Sequence, residues 1–193
     1  MGYKVVYVTG APASGKSSTM ACLLAERPEV GVWEYGARLT AFLKARGSDI
    51  ADQRELRERS AHVVTPTDIN ALDDQLRTWV EQRRETQHLL IDSHPVTKEH
   101  YGFRVTAFSV DRVKSLQPTE IWLFYVSPEV TVERVRRDAA GRPEITFEEA
   151  RMHTTAQASV AMTYGILAGC PVHMFDTNLD QVELVDRLRH RLA

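Results

Sequence analysis

The sequence is poor in cysteine, in glycine and proline, and in long apolar runs, and each shortage argues against a class of protein. The 193 residues include only two cysteines, Cys22 and Cys170, which lack the paired spacing of zinc or redox-dithiol motifs. Glycine (10) and proline (8) are too few for a linker-rich chain. The apolar run at 121–126 is far shorter than the roughly 18 residues of a membrane span. We therefore expect a soluble, cytoplasmic globular protein without a signal peptide or membrane anchor.

The sequence also lacks an excess of charge of either sign. Lysine and arginine total 24 and aspartate and glutamate 26, which gives a formal net charge of -2. A protein that works on nucleic acid usually carries a basic footprint, and this chain has none. The length corresponds to one domain at about 150 residues per domain. We expect a single domain over 1–193 with a small-molecule partner rather than a nucleic acid, and the sequence leaves a homo-oligomer open.

Short apolar runs alternate with longer segments of helical period. This alternation is typical of α/β proteins with a parallel sheet, and nearly continuous apolar strands indicate helices on both faces. The chain is therefore predicted to be a three-layer α/β sandwich. The predicted strands lie at 5–9, 30–35, 88–93, 120–126 and 172–175.

Capping signals predict three of the helices. Two segments, 36–65 and 138–146, carry little strand signal and are interpreted as insertions. The predicted helices are one capped by Thr67 and Asp68 and ending near Arg84, one starting at Ser127 and Pro128, and one with a Thr146–Glu149 capping box that ends before Gly169.

The most specific motif is GAPASGKS at Gly10–Ser17, which matches GxxxxGK[S/T] between a predicted strand and a predicted helix. In such a P-loop the backbone N–H groups, here including those at Ala13 and Ser14, surround polyphosphate oxygens. Lys16 would reach the terminal phosphates and the Ser17 hydroxyl would bind Mg²⁺. The motif predicts ATP and Mg²⁺ as cofactors.

Asp92 ends the predicted strand LLID, a usual position for the carboxylate that holds the Mg²⁺ of a P-loop protein through water. A strand-end aspartate can also simply cap a turn. His94 and Lys98 follow at the carboxyl end of the strand, where open parallel sheets bind ligands. His94 fits a hydrogen-bonded loop histidine equally well.

Arginines form two groups in the sequence. Arg142 lies in the small-residue segment AAGRP, which suits a hinged lid that brings the guanidinium onto phosphates. Arg136 and Arg137 fit a solvated helix face as well as they fit a phosphate-binding role. The second group, in the first insertion, is available to bind the phosphate of a second substrate. Its members are Arg38, Arg54, Arg57 and Arg59.

Beyond these motifs, the chain resembles the archaeal-type adenylate kinases through most of its length. The likeness includes the first strand and P-loop, EYG at 34–36, IDSHPVTK at 91–98 and AMTYGILAG at 161–169. It implies a five-stranded parallel core, a short lid around 137–146, and phosphoryl transfer from ATP to a nucleoside monophosphate. Gln157 and Ala158 stand where that family often has an arginine.

The resemblance also implies roles for individual residues. Gly10, Gly15, Lys16, Ser17 and Ser18 would hold the ATP phosphates. Arg134 would lie against adenine, with Asn178 near the base, and Arg142 would contact the transferring phosphoryl group. The acceptor would face Gly36 and an arginine of the segment 54–59, with His94 and Lys98 nearby.

Three functions are consistent with these residues. The leading hypothesis is a Mg²⁺-ATP-dependent kinase of an AMP-like nucleoside monophosphate, with Lys16, Arg142 and Asp92 as the catalytic group. The second is a P-loop kinase that phosphorylates a hydroxyl of a nucleoside, a modified nucleic acid or a metabolite, with Asp92 as the base. The third is a nucleotide-binding regulator without catalysis. A GTP-dependent switch is disfavoured because the NKxD motif is absent.

Overall fold

The computed structural model describes residues 2–52, 55–56, 59, 63–137 and 144–193. Its centre is a five-stranded parallel sheet with the strand order β2-β3-β1-β6-β7. This confirms the predicted α/β class and the five-stranded parallel core. The strands are β1 (Val5–Gly10), β2 (Gly31–Glu34), β3 (Leu89–Asp92), β6 (Glu120–Tyr125) and β7 (Val172–Asp176), and a separate hairpin consists of β4 (Val96–Glu99) and β5 (Gly102–Val105).

Helices cover both faces of the sheet, as the continuous apolar strands predict. One face packs on α1 and α7, and the other packs on α2, α3, α4 and α6. The two layers bury alternate residues of each strand, for example Val6 and Val8 on one side and Val5 and Tyr7 on the other. The described helices are α1 (Lys16–Glu26), α2 (Tyr35–Ala45), α3 (Pro66–Arg83), α4 (Val110–Leu116), α5 (Pro128–Arg136), α6 (Phe147–Ala168) and α7 (Gln181–Arg191).

The register of the parallel strands brings their carboxyl ends together. Val8 of β1 is level with Asp92 of β3, and Asp92 is level with Glu34 of β2. The P-loop leaves β1 at Gly10, so it begins beside the end of β3. Ligands of open α/β sheets bind at this edge, and the candidate residues on β1, β2 and β3 therefore share one crevice.

The capping signals place most helix ends correctly. Ser127 caps α5, and the Thr146–Glu149 capping box starts α6, which ends at Gly169 with φ 66°. The predicted cap of α3 at Thr67 and Asp68 was wrong, because the helix starts two residues earlier. The N-cap is Thr65, and Asp68 completes its capping box from the first turn because Pro66 already occupies the first helical position.

The β4–β5 hairpin was not predicted. Its strands have four residues each and are mostly half-buried, so they lack the apolar run of a core strand. His153 of α6 contacts the hairpin through a 3.1 Å hydrogen bond between its Nε2 and the carbonyl of Val96. Burial lowers the pKa of His153, which favours a neutral ring that can donate this bond.

The predicted insertion 36–65 includes all but the first residue of α2 and contributes Ile50 and Leu56 to the core. Of the predicted lid, residues 138–143 lie outside the described residues, so the lid stays a prediction. In the part of the chain that is described, no helix has both the length and the apolar character needed to span a bilayer.

Candidate active site at the P-loop

The loop between β1 and α1 is a tight backbone cradle whose glycines cannot be replaced without displacing its walls. Gly15 has φ 80°, and a Cβ there would lie 2.9 Å from Thr177 Oγ1 and 3.0 Å from Arg134 Nη1. A Cβ on Gly10 would lie 2.6 Å from the carbonyl oxygen of Phe124. Ala13 also has a positive φ, of 62°. This backbone conformation is the one that turns successive N–H groups toward an anion.

The start of α1 adds positive potential to the cradle. Its N-cap is Gly15, no side chain caps the first turn, and that turn contains no acidic residue. Unpaired amides and the helix dipole favour an anion at such a terminus. Ser17 and Ser18 lie exposed in this first turn, and the Ser18 hydroxyl donates a 2.8 Å bond to the Gly15 carbonyl. The buried hydroxyl oxygen of Ser14 has no hydrogen-bond partner among the described residues.

Lys16 and Asp92 form the charged centre of the site. Lys16 is 3% exposed, and its ammonium is paired with Oδ2 of Asp92. The other carboxylate oxygen, Oδ1, is buried and accepts no hydrogen bond from the described residues, and Nε2 of His94 lies 3.8 Å from it. A buried carboxylate oxygen without a donor fits a metal-bound water. The Ser17 hydroxyl and Asp92 are hard oxygen groups of the kind that Mg²⁺ prefers, so the residues fit this ion.

His94 lies against the P-loop rather than away from it. Its Nδ1 is 3.0 Å from the carbonyl oxygen of Gly10, the last residue of β1. The ring is 45% exposed, so it borders the crevice beside Asp92. The structure therefore brings His94 to the site, and its contact with an acceptor stays a prediction.

Arg134 and Thr177 form the outer wall of the loop, a pairing that the sequence analysis did not anticipate. The guanidinium of Arg134 donates to the carbonyl of Ala13 at 3.2 Å, to Thr177 Oγ1 at 3.0 Å and to the Thr177 carbonyl at 3.0 Å. Thr177 Oγ1 in turn donates to the Ser14 carbonyl at 2.5 Å. Asn178, the next residue, is exposed. The predicted adenine contacts of Arg134 and Asn178 stay predictions at this wall.

The predicted acceptor residues are less concentrated. Lys98 lies on β4 and is ion-paired with Glu149 of α6 at 2.9 Å. Gly36 is in the first turn of α2, and Arg38 is exposed, with its guanidinium 4.8 Å from the ring centroid of Trp33. The described residues thus place Gly36 beside the strand ends while Lys98 links the hairpin to α6.

The arginine group of the first insertion is only partly described. Arg54 and Arg57, like the catalytic candidate Arg142, lie outside the described residues. Arg59 is paired with Glu55 at 2.6 Å and with Asp49 at 3.3 Å. Its guanidinium is therefore already neutralised by carboxylates of its own segment.

Sequence reasoning also missed a buried polar chain behind the loop. Gln157 of α6 is fully buried, and its Nε2 donates to Thr9 Oγ1, which donates to the carbonyl of Ser93 at 2.7 Å. This chain of hydrogen bonds connects the ends of β1 and β3, next to Gly10 and Asp92. Gln157 was noted only as a departure from a family pattern, because sequence spacing does not reveal a contact between α6 and β1.

Comparisons with known proteins agree with this geometry. The model of a family described as AAA domain matches residues 9–151. A search of the curated proteins gives no significant match.

Three solved structures resemble the chain over nearly its whole length. A sugar kinase from Janibacter sp. is 16% identical, with a TM-score of 0.55 and coverage of 99% of this chain and 96% of that one. A shikimate kinase from Bacteroides thetaiotaomicron is 15% identical, with a TM-score of 0.55 and coverage of 98% of both. A tunicamycin resistance protein from Deinococcus radiodurans is 18% identical, with a TM-score of 0.58 and coverage of 99% and 96%.

Sequence identities this low establish a shared fold and nothing about function. The shared fold is that of the P-loop kinases. This is the coarser part of the resemblance found in the sequence. The family match spans well over half of the chain and includes both Lys16 and Asp92, so the chain belongs to this family of AAA domains.

Proposed function

We propose that the protein is a Mg²⁺-ATP-dependent phosphotransferase that acts on a small molecule. The observation that carries the proposal is the arrangement of Lys16 and Asp92 at a P-loop whose glycines have no room for a side chain. Phosphoryl transfer needs positioning and charge neutralisation more than covalent chemistry. Lys16 would stabilise the negative charge on the terminal phosphates. Ser17 and Asp92 would hold the Mg²⁺, which neutralises further phosphate charge when bound.

A binding regulator is the weaker candidate. A protein that only binds ATP needs no polar groups beyond its phosphate site. The carboxyl ends of β1, β2 and β3 lie level beside the P-loop, at the edge where open parallel sheets bind ligands, and the carboxylate of Asp92 and the ring of His94 lie near each other there. This placement supports transfer to an acceptor bound there.

For the acceptor we propose a nucleoside monophosphate similar to AMP. The support is the resemblance to archaeal-type adenylate kinases, which includes Gly36 beside the strand ends and the late helix, now α6. A phosphate acceptor is already a nucleophile and requires cations, not a base. Arg38 and the arginines Arg54 and Arg57 are the candidates for that task.

A hydroxyl acceptor is the second candidate, and a specific observation favours it. Arg59 is neutralised by Glu55 and Asp49, and Lys98 by Glu149, which reduces the free positive charge available for a dianion. Two of the similar structures are named as a sugar kinase and a shikimate kinase. For such an acceptor Asp92 would be the base.

Paired acceptors separate the two candidates. We would measure ADP formation with ATP and Mg²⁺ for each nucleoside monophosphate beside its nucleoside, and for simple sugars, with a Lys16→Met variant as the background. Transfer to monophosphates and not to nucleosides supports the first acceptor class. Transfer only to hydroxyl compounds supports the second, and no transfer with retained ATP binding supports the regulator.

A further inference from the structure

Glu34 is a carboxylate at the site that the proposed mechanism does not yet use. It is the last residue of β2, and its Cα partner across the parallel ladder is Asp92 of β3. Residues that are partners in a parallel ladder project from the same face of the sheet. Glu34 and Asp92 therefore project side by side.

The face that they share is the one that carries the P-loop helix. Two residues earlier on the same strands, Val32 and Leu90 pack in the cluster that contains Met20 and Leu23 of α1. Because side chains alternate along a strand, Glu34 and Asp92 continue that face beyond the cluster, toward the start of α1. That start is where Lys16 and Ser17 lie.

Glu34 has no task within the described fold. Its side chain is exposed and makes no hydrogen bond or ion pair with any described residue, while its backbone belongs to the β2–β3 ladder. It occupies the N-cap of α2, but its side chain does not cap the helix. Beside it, Oδ1 of Asp92 is buried without a hydrogen-bond donor among the described residues. One oxygen of each carboxylate is thus available in the same part of the crevice.

We propose that Glu34 is a positioning residue that, together with Asp92, accepts hydrogen bonds from the water shell of the Mg²⁺ of bound Mg-ATP. This inference rests on the proposed function. Mg²⁺ keeps several of its waters and is commonly bound through one or two carboxylates plus substrate phosphates. Asp92 already shares one oxygen with Lys16, so a second carboxylate supplies the acceptors that the hydrated ion needs.

The position of Glu34 has an electrostatic consequence of opposite sign with and without the metal. With Mg²⁺ present, the carboxylate attracts the ion and its waters and strengthens nucleotide binding. Without Mg²⁺, the same charge repels the triphosphate and weakens binding. A glutamate remote from the phosphates and the ion would produce neither effect.

The experiment measures this sign reversal directly. The dissociation constant of a non-hydrolysable ATP analogue is determined by calorimetry with excess Mg²⁺ and with EDTA, for the wild type and for Glu34→Gln. Glu85→Gln is the matched control, since Glu85 is an exposed residue that precedes the amino end of β3. Thermal unfolding without ligand checks that each variant is folded.

We expect the Mg²⁺-dependent gain in affinity to fall by about tenfold in Glu34→Gln, which is typical for loss of an outer-shell partner of a metal. Affinity in EDTA should stay equal or rise, and Glu34→Asp should recover part of the gain. An unchanged Mg²⁺-dependent gain in folded Glu34→Gln overturns the inference and leaves the proposed function standing. A wild-type protein that binds no nucleotide under either condition overturns both.

Discussion

The ammonium of Lys16 is paired with Oδ2 of Asp92, and this single contact joins the end of the P-loop to the end of β3. The two residues are 76 positions apart in the chain. They meet because β1 and β3 are neighbouring parallel strands, with Val8 level with Asp92. The sheet order alone therefore brings the P-loop lysine next to the carboxylate at the end of β3.

Replacing Lys16 should abolish most of the turnover. Lys16→Met should lower kcat by about 10²-fold or more, because the variant lacks the ammonium that would stabilise the charge developing on the transferred phosphoryl group. Steady-state kinetics with saturating Mg-ATP checks this, with circular dichroism to show that the variant is folded. Lys114→Met, on the exposed face of α4, is the control and should be close to wild type. Near-normal turnover of a folded Lys16→Met protein would contradict the P-loop assignment.

Replacing Asp92 should change the metal dependence specifically. Asp92→Asn keeps the shape but removes the charge, so half-maximal activity should require about tenfold more Mg²⁺. A Mg²⁺ titration of the initial rate measures the change, and Asp111→Asn in the first turn of α4 serves as a surface control. If Asp92 is only a structural cap, the variant loses stability while its Mg²⁺ titration stays where it was.

Two glycines with the same backbone conformation provide a test of the cradle. Gly15 has φ 80° and Gly47 has φ 83°, but only Gly15 has neighbours where a Cβ would be. Gly47→Ala should cost about 1 kcal/mol of stability from backbone strain alone and leave ATP binding intact. Gly15→Ala should in addition weaken ATP binding by about tenfold, because Thr177 and Arg134 must move. Calorimetric titration measures the ATP affinity of both variants. Equal affinities would show that the wall formed by Thr177 and Arg134 is not required for ATP binding.

The acid stability of the fold should depend on Glu120. Burial opposes ionisation of this residue, but hydrogen bonds from Lys4, Trp122 and Arg191 outweigh it, so its pKa is lowered in the folded protein. A lowered folded-state pKa gives stability that is complete above the unfolded value, about 4.3 for glutamate, and that is lost as the pH falls through the folded value.

Glu120→Gln should therefore be less stable than the wild type at pH 7 by about 1.5–3 kcal/mol, the range for hydrogen bonds to a charged group. The difference should shrink once the pH falls below about 4. Urea unfolding at several pH values measures it. The surface variant Glu81→Gln, which loses only an exposed pair with Arg77, should change stability by less than about 1 kcal/mol. A pH-independent difference for Glu120→Gln would refute the account of this cluster.

The sequence predicts those parts of the molecule that depend on residues close together in the chain. The core strands are nearly continuous apolar runs, and the P-loop is a contiguous motif, so both were located correctly. The β4–β5 hairpin was missed because its half-buried strands carry no such pattern.

The rest of the site depends on contacts between distant segments. Arg134 meets Thr177, and Lys98 meets Glu149, only because α5, β7, β4 and α6 are packed around the same edge. Nothing in the spacing of these residues distinguishes them from solvated side chains. Glu34 was quoted in a motif but received no role, since only the ladder shows that it lies level with Asp92.

The activity that we propose for the protein is transfer of the γ-phosphoryl group of ATP to a small acceptor. The most direct measurement is ³¹P NMR of a reaction containing the protein, ATP, Mg²⁺ and a mixture of nucleoside monophosphates and nucleosides. We expect conversion of ATP to ADP with the appearance of a phosphorylated acceptor, foremost a nucleoside diphosphate formed from its monophosphate. We expect no conversion when EDTA replaces Mg²⁺. A spectrum in which no acceptor is phosphorylated, recorded with folded protein across monophosphates, nucleosides and sugars, would contradict it.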